Sequence, residues 1–160
     1  MTERKFLTVY FSWGGHTGKA ARLIKEVTGG DIFELRPEKS YSKIYPICAA
    51  QAKKERDKDA RPSFEGEIAD ISQYTDIVAG YPAWWYTCPM IVLSFLEQYD
   101  LTGKNVYLFN THGGSGPVGT DDVKKLCRPP SILHAPHHTP LIVISVSVSL
   151  GFIEFPKVRS

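Results

Sequence analysis

Three short segments combine glycine with hydroxyl, imidazole or aromatic side chains, and each follows a short apolar run. They are Ser12-Trp13-Gly14-Gly15-His16-Thr17-Gly18, Tyr81-Pro82-Ala83-Trp84-Trp85-Tyr86-Thr87 and Thr111-His112-Gly113-Gly114-Ser115-Gly116. The first lies where a strand gives way to a helix, so unpaired backbone N–H groups and the positive end of the helix dipole converge on one spot suited to an anion. Gly14, Gly15 and Gly18 let the backbone approach that anion closely, Ser12 and Thr17 add hydroxyl donors, and His16 stands among them. A Walker A loop would need glycine at position 13 and Ser or Thr at position 20, where this chain has Trp13 and Ala20. A dinucleotide fingerprint through Gly15 and Gly18 fails at the same Trp13. Glu34, although placed for a ribose, does not restore it by itself. A monophosphate held by amides and hydroxyls remains, with a ligand-free tight turn as the alternative.

The second segment sets Trp84, Trp85 and Tyr86 beside Pro82 and Ala83 at a strand end. Neighbouring side chains of an extended segment point to opposite sides, so only part of this cluster can enter the core. The rest suits a platform against a flat, neutral ring, with core packing or a protein contact as the alternative. The third segment, Thr111, His112, Gly113 and Gly114 with Ser115 and Gly116, offers backbone amides to the polar edge of such a ring. His112 is read first as a structural hydrogen-bonding group. No Ser-His-Asp set, paired carboxylates or metal cluster accompanies these loops, so no side chain is assigned a catalytic role and no metal is expected. The tail histidines His134, His137 and His138 lack matching acidic or thiol ligands.

Alternating strands and helices are needed to position these loops. Phe6 to Phe11 is a nearly continuous apolar run of the kind buried on both faces of a sheet. Ala20, Leu23, Ile24 and Val27 follow at helical spacing up to Gly29-Gly30, and Asp31 to Arg36 alternates as a strand nearer the edge. That βαβ unit predicts parallel strands. Residues 37 to 76 carry the weakest pattern, punctuated by Pro37, Pro46 and Pro62, with helical spacing over Ile47 to Asp57. Ile77 to Tyr81 reads as a buried strand, Val92 to Tyr99 as a core-facing helix, Asn105 to Asn110 as a fourth strand and Asp121 to Cys127 as a short helix. Residues 141 to 150 alternate as a fifth strand, and no helical period follows. The reading is a single α/β domain over residues 1–160, a doubly wound parallel sheet of five strands whose final helix is missing. Ligands of such sheets bind outside the carboxyl ends of the strands, where the three loops fall.

With 160 residues, 42% hydrophobic and 22% charged, the chain has the make-up of an ordinary globular domain. A net charge of +2 without basic runs argues against nucleic acid. Lys53, Lys54, Arg56, Lys58 and Arg61 alternate with Glu55, Asp57 and Asp59 and read as a solvated face. Cys48, Cys88 and Cys127 have neither disulfide nor zinc spacing. The start of the chain has no signal-peptide pattern, and the apolar stretch Leu141 to Phe155 is too short and too polar to span a bilayer. The expected location is a reducing cytoplasm, without membrane association.

Over roughly residues 5 to 128 these segments resemble the flavodoxin family, in its variant with a tryptophan pair in the middle loop. The family's Ser-x-Thr-Gly-Asn-Thr-like loop is matched by Ser12, Gly15 and Thr17, with Gly14 where the family has Thr and His16 where it has Asn. Gly80 to Met90 resembles the flavin-side loop, and Thr111 to Gly116 resembles the third loop. The resemblance implies FMN, its phosphate at Ser12, Gly14, Gly15, His16 and Thr17. The flavin ring would lie between Pro82, Ala83, Trp84 and Trp85 on one side and Thr111, His112, Gly113 and Gly114 on the other. It implies electron transfer with a redox partner protein. An FMN-dependent NAD(P)H:quinone-type oxidoreductase serving a small quinone-like acceptor is the alternative, and a flavin-free binding module on the same fold is a third reading. With no cation read beside the ring, a low potential is expected. Two features depart from the family: electron carriers are usually acidic, and they close with a helix after the fifth strand. The Pro/His/Ser-rich tail from about residue 128 is atypical, so a sheet face covered by self-association, as a homodimer, is expected.

Overall fold

The computed structural model describes residues 3–116, 118–127, 141–149 and 152–154, with the backbone alone described from Cys127 onward. The elements run β1 (Phe6–Tyr10), α1 (His16–Thr28), β2 (Asp31–Glu34), α2 (Tyr45–Asp57), β3 (Asp76–Pro82), α3 (Met90–Gln98), β4 (Asn105–His112), α4 (Thr120–Cys127), β5 (Leu141–Ser149) and β6 (Phe152–Glu154). The sheet has the order β2-β1-β3-β4-β5-β6. β1 pairs in parallel with β2 and β3, and β3 with β4. β5 runs parallel beside β4, and β6 antiparallel beside β5. The chain winds outward from β1 to β2 and then crosses back to β3, so the sheet is a doubly wound α/β arrangement with its switch point between β1 and β3. The expectation that a final helix is missing after the fifth strand falls on residues outside the described ones.

Each central strand is buried on both faces, which is why its sequence is a run rather than an alternation. On one face Leu7, Val9, Ile77, Ala79, Val106 and Leu108 join α3 in the larger core. On the other, Val78 and Phe109 pack with Tyr10 against Ala20 and Ala21 of α1. Alanine at these two positions of α1 brings the helix close to the strands. β3 also carries a glycine inside the strand, ordinarily a weakness. Gly80 is the register partner of Phe109, whose ring folds back over it: a Cβ built on Gly80 would lie 2.0 Å from Phe109 Cζ.

At the amino-terminal edge of the sheet a charged group holds β1, β3 and β4 in register. Asp76 is fully buried and accepts hydrogen bonds from Arg4, Thr75, Asn105 and Tyr107. The segment between β2 and β3, the least patterned part of the sequence, is anchored by a bridge between Pro37 and Phe64. Tyr99 Oη also accepts from the Ile68 amide at 2.8 Å.

The element limits differ from the sequence reading in one way that matters. α1 begins at His16, four residues before the first apolar repeat at Ala20, so Thr17 and Gly18 belong to its first turn. The apolar spacing could not show this because the first turn faces the loop cluster instead of the sheet. α2 likewise begins at Tyr45, with Pro46 in its first turn, where the missing N–H costs nothing.

Candidate functional site

The first loop is shaped by Ser12. Its Oγ accepts from the amides of Gly15 and Gly18 at 3.1 and 3.2 Å, filling its acceptor capacity and leaving its O–H to donate. Gly15, the N-cap residue of α1, holds φ at 85°, in the left-handed region that favours glycine, and no side chain caps the helix. Among the described residues nothing accepts from the Gly14, His16 or Thr17 amides, which sit at the positive end of the α1 dipole. Gly14, Gly15 and His16 are exposed, whereas Thr17 is 2% exposed. The Thr17 hydroxyl meets that of Thr111 at 2.7 Å, so one of the two expected hydroxyl donors ties the first loop to the third.

The third loop is folded around its histidine. Nδ1 of His112 accepts from the amides of Gly114 and Gly116 at 3.1 and 3.2 Å, so a neutral ring carries its proton on Nε2. The structural role expected for His112 is therefore what the structure shows. Two of the amides expected to face a ligand are turned onto that imidazole, and those of Gly113 and Ser115 remain. Asn110 Nδ2 donates to the Gly116 carbonyl at 3.2 Å and closes the loop from below. The Ala83 amide donates to Thr111 O at 2.9 Å, extending the β3–β4 ladder through Pro82 into both loops.

The second loop is a tight turn and not an extended segment. Trp84 and Thr87 exchange both backbone hydrogen bonds at 3.0 Å, and the central residues Trp85 and Tyr86 have φ of 51° and 64°. That is a primed two-residue turn of the kind usually filled by Asn and Gly. It separates the aromatics more completely than strand alternation would. Trp84 turns inward, edge-on to Phe11 and Tyr41 at 5.2 and 5.1 Å between ring centroids. Trp85 is 40% exposed and Tyr86 82% exposed. Trp85 is fastened to α2: its Nε1 donates to Ala49 O at 2.8 Å, and Arg56 donates to its carbonyl while the guanidinium stands 5.6 Å from its ring centroid. A cation thus adjoins the aromatic platform, which the sequence reading had left without one. Two bulky residues in the left-handed region carry strain of about 1–2 kcal/mol each. Tyr86→Gly is therefore expected to raise stability by about 0.5–1 kcal/mol, part of the relief being offset by the extra freedom of the unfolded chain. Urea denaturation would measure this, and a destabilised variant would show that Tyr86 makes contacts worth more than its strain.

Together the loops enclose a cavity of about 260 Å³ whose walls include Trp13, Ala83, Trp84, Trp85, Tyr86 and Ser115. Beside it stand the free amides of the α1 N-terminus, at the carboxyl ends of β1, β3 and β4. The flavodoxin family profile matches residues 5–138, most of the chain. The chain belongs to the flavodoxin family. Among solved structures it is similar to a protein of Bacteroides eggerthii assigned as a flavoprotein, with 27% identity, a TM-score of 0.75, and 94% of this chain and 90% of that one covered. A counterpart from Bacteroides uniformis, also assigned as a flavoprotein, is 25% identical with a TM-score of 0.76, covering 93% of this chain and 92% of that one. A Lactobacillus acidophilus flavoprotein solved in complex with FMN shares the fold, at 20% identity and a TM-score of 0.67, over 91% of this chain and 93% of that one. No curated protein matches the chain.

Within this flavodoxin-family fold the α2 wall of the cavity went unread in the sequence. Tyr45, Cys48, Ala49 and Ala52 line it. Trp13, read only as evidence against nucleotide loops, closes one end. Its Nε1 donates to Ser42 O at 3.0 Å, and its ring lies edge-on to Tyr45. Spacing within α2 held the signal for the wall, since 45, 48, 49 and 52 recur at i, i+3, i+4 and i+7, but nothing marked that stripe as facing a ligand cavity. Burial pushes the Cys48 thiol up, with help from the Glu55 charge, so it presents a neutral S–H at neutral pH. Behind Trp84, Tyr41 Oη donates to Glu55 Oε2 at 2.6 Å. Burial raises the Glu55 carboxyl, and the Tyr41 hydrogen bond opposes that rise. Among the described residues no group of three or more His, Cys, Asp or Glu could hold a metal ion, and His134, His137 and His138 lie outside them. No helix of the described residues is long and apolar enough to cross a membrane.

Proposed function

We propose that this flavodoxin-family protein binds FMN and acts in electron transfer. The observation that carries the reading is an aromatic-walled cavity of about 260 Å³ next to unpaired amides at a helix N-terminus, both at the switch point of the sheet. The two halves fit the two ends of FMN. The cavity takes a ring system and not a whole nucleotide, while the amides of Gly14, His16 and Thr17, with the Ser12 O–H, suit a phosphate. Bound there, FMN would supply the redox chemistry, and the protein would supply orientation, dipoles and exclusion of water. Trp84 and Trp85 would flank the ring, and the Gly113 and Ser115 amides would meet its polar edge. Ser12 would hold the phosphate loop open by keeping the Gly15 and Gly18 amides off the helix axis. Cys48 and Cys88, both buried and free, suit a reducing cytoplasm.

FMN titration of the purified protein tests this. A bound yellow chromophore with quenched tryptophan fluorescence is expected, and riboflavin, lacking the phosphate, is expected to bind at least tenfold more weakly. Ser12→Ala is expected to weaken FMN by about tenfold and riboflavin little, since only the phosphate loop is disordered. Absence of any bound chromophore would remove the reading. The exposed mouth at Trp85 and Tyr86 leaves room for a second reading, reduction of a small quinone-like acceptor by NAD(P)H. Steady-state NAD(P)H turnover with a quinone separates that enzyme from a carrier, which shows none.

A further inference from the structure

All three tryptophans of the chain, Trp13, Trp84 and Trp85, line the same cavity. The second loop supplies two of them. Trp13 comes from the first loop, where its backbone stands between Ser12 and Gly14 and its side chain forms part of the cavity wall. An indole brings little to a phosphate loop, since it carries one N–H donor and no acceptor. That one donor is already given to Ser42 O at 3.0 Å. What remains of the side chain is its apolar face.

Trp13 is not a core residue either. It is 37% exposed, and the ring it meets is that of Tyr45, itself 71% exposed, at 6.3 Å between centroids and 60° between planes. A large aromatic fixed in place yet left partly in water forgoes burial that ordinarily stabilises it. A flat ligand laid against it restores that burial.

The anchoring sets Trp13 where such a ligand would meet it. Ser42 O and Tyr45 hold it at the start of α2, whereas the Trp85 indole is held on Ala49 O, about one helical turn beyond Tyr45. Two tryptophans are thus fastened to backbone carbonyls on either side of a space that the small side chains of Ala49 and Ala52 leave open. The third loop, Thr111 to Gly116, contains no Phe, Tyr or Trp. Aromatic contact beyond the second loop therefore has to come from Trp13 and Tyr45.

We infer that Trp13 is a second aromatic wall for the ligand ring, supplied by the same loop that holds the phosphate, and that it sets affinity for the ring and not for the phosphate. The inference rests on the flavin reading for the identity of that ring.

Riboflavin and FMN titrations of Trp13→Ala and Trp13→Phe test it, together with the fluorescence of a W84F/W85F variant in which Trp13 is the one indole left. Trp13→Ala is expected to weaken both flavins by the same factor, at least about fivefold. Trp13→Phe keeps a ring but loses the Ser42 bond, and is expected to weaken them by less than about twofold. Emission of the W84F/W85F variant is expected to be quenched as riboflavin binds. Loss of FMN affinity alone in Trp13→Ala would show that the residue serves the phosphate loop. A Phe variant as weak as the Ala variant would show that the Ser42 bond matters and the ring does not. Either result overturns the inference, as does unquenched Trp13 emission with flavin bound. Menadione, a flat ring that is not a flavin, separates this inference from the flavin reading. Quenching of Trp13 by menadione in a protein that takes up neither flavin would retire the flavin reading and keep the wall. Flavin uptake that Trp13→Ala leaves unchanged would retire the wall alone.

Discussion

Gly80→Ala is expected to cost about 3 kcal/mol of stability and to lower the melting temperature by roughly 6–12 °C. Its Cβ would lie 2.0 Å from Cζ and 2.2 Å from Cε1 of Phe109, far inside contact distance. Phe109 cannot yield, because its ring is 1% exposed and packed among Val78, Tyr10 and the two alanines of α1. Relief would require parting β3 from β4 or lifting α1 from the sheet. A double-mutant cycle in urea isolates the cause. Phe109→Leu alone leaves a void and destabilises by about 1–1.5 kcal/mol, but combined with Gly80→Ala it is expected to restore much of the loss, giving a coupling of at least about 1 kcal/mol. Additive losses would show that backbone freedom at Gly80, and not the ring, is what the strand requires.

Asp76→Asn is expected to cost about 2–4 kcal/mol at neutral pH and to remove part of the protein's acid sensitivity. Burial of Asp76 opposes its ionisation, yet the hydrogen bonds from Arg4, Thr75, Asn105 and Tyr107 outweigh that and bring its carboxyl down to about 2 from the ordinary 3.8. A carboxyl lowered by folding stabilises the protein fully above its unfolded value and loses that contribution as pH falls through its folded value. The wild type is therefore expected to lose this increment between about pH 4 and pH 2, while Asp76→Asn shows no such step from this site. Urea midpoints measured at several pH values would test it. A stability gap between the two proteins that stays constant down to about pH 2 would mean that folding does not lower the Asp76 carboxyl.

Most of the α/β framework was legible because the central strands are buried on both sides. Phe6 to Phe11 and Ile77 to Tyr81 read as runs, and α1 and α3 read as helices from their apolar spacing, since in each case burial dictates the residue type. The stretch from 37 to 76 was not legible for the complementary reason. It is held by local bridges and side-chain bonds, such as Pro37 with Phe64 and Tyr99 with the Ile68 amide, which leave no period in the sequence. The loops were legible as loops. Their internal wiring was not, because Ser12, Thr17 and His112 spend hydrogen-bonding capacity on partners two to 94 residues away.

The sequence by itself determined that three glycine-bearing loops end three strands of one parallel sheet, that the first is neither a Walker A nor a dinucleotide loop, and that the second bears an aromatic cluster. These follow from residue type and short-range spacing, which local sterics and burial constrain directly. Only the tertiary structure decided which aromatics face inward, that α2 supplies a wall of the cavity, and that Arg56 fastens Trp85. Those facts depend on how α2 crosses the carboxyl edge of the sheet. That placement is set by long-range packing of Tyr41, Phe11 and Trp84, residues far apart in the chain whose meeting no local pattern encodes.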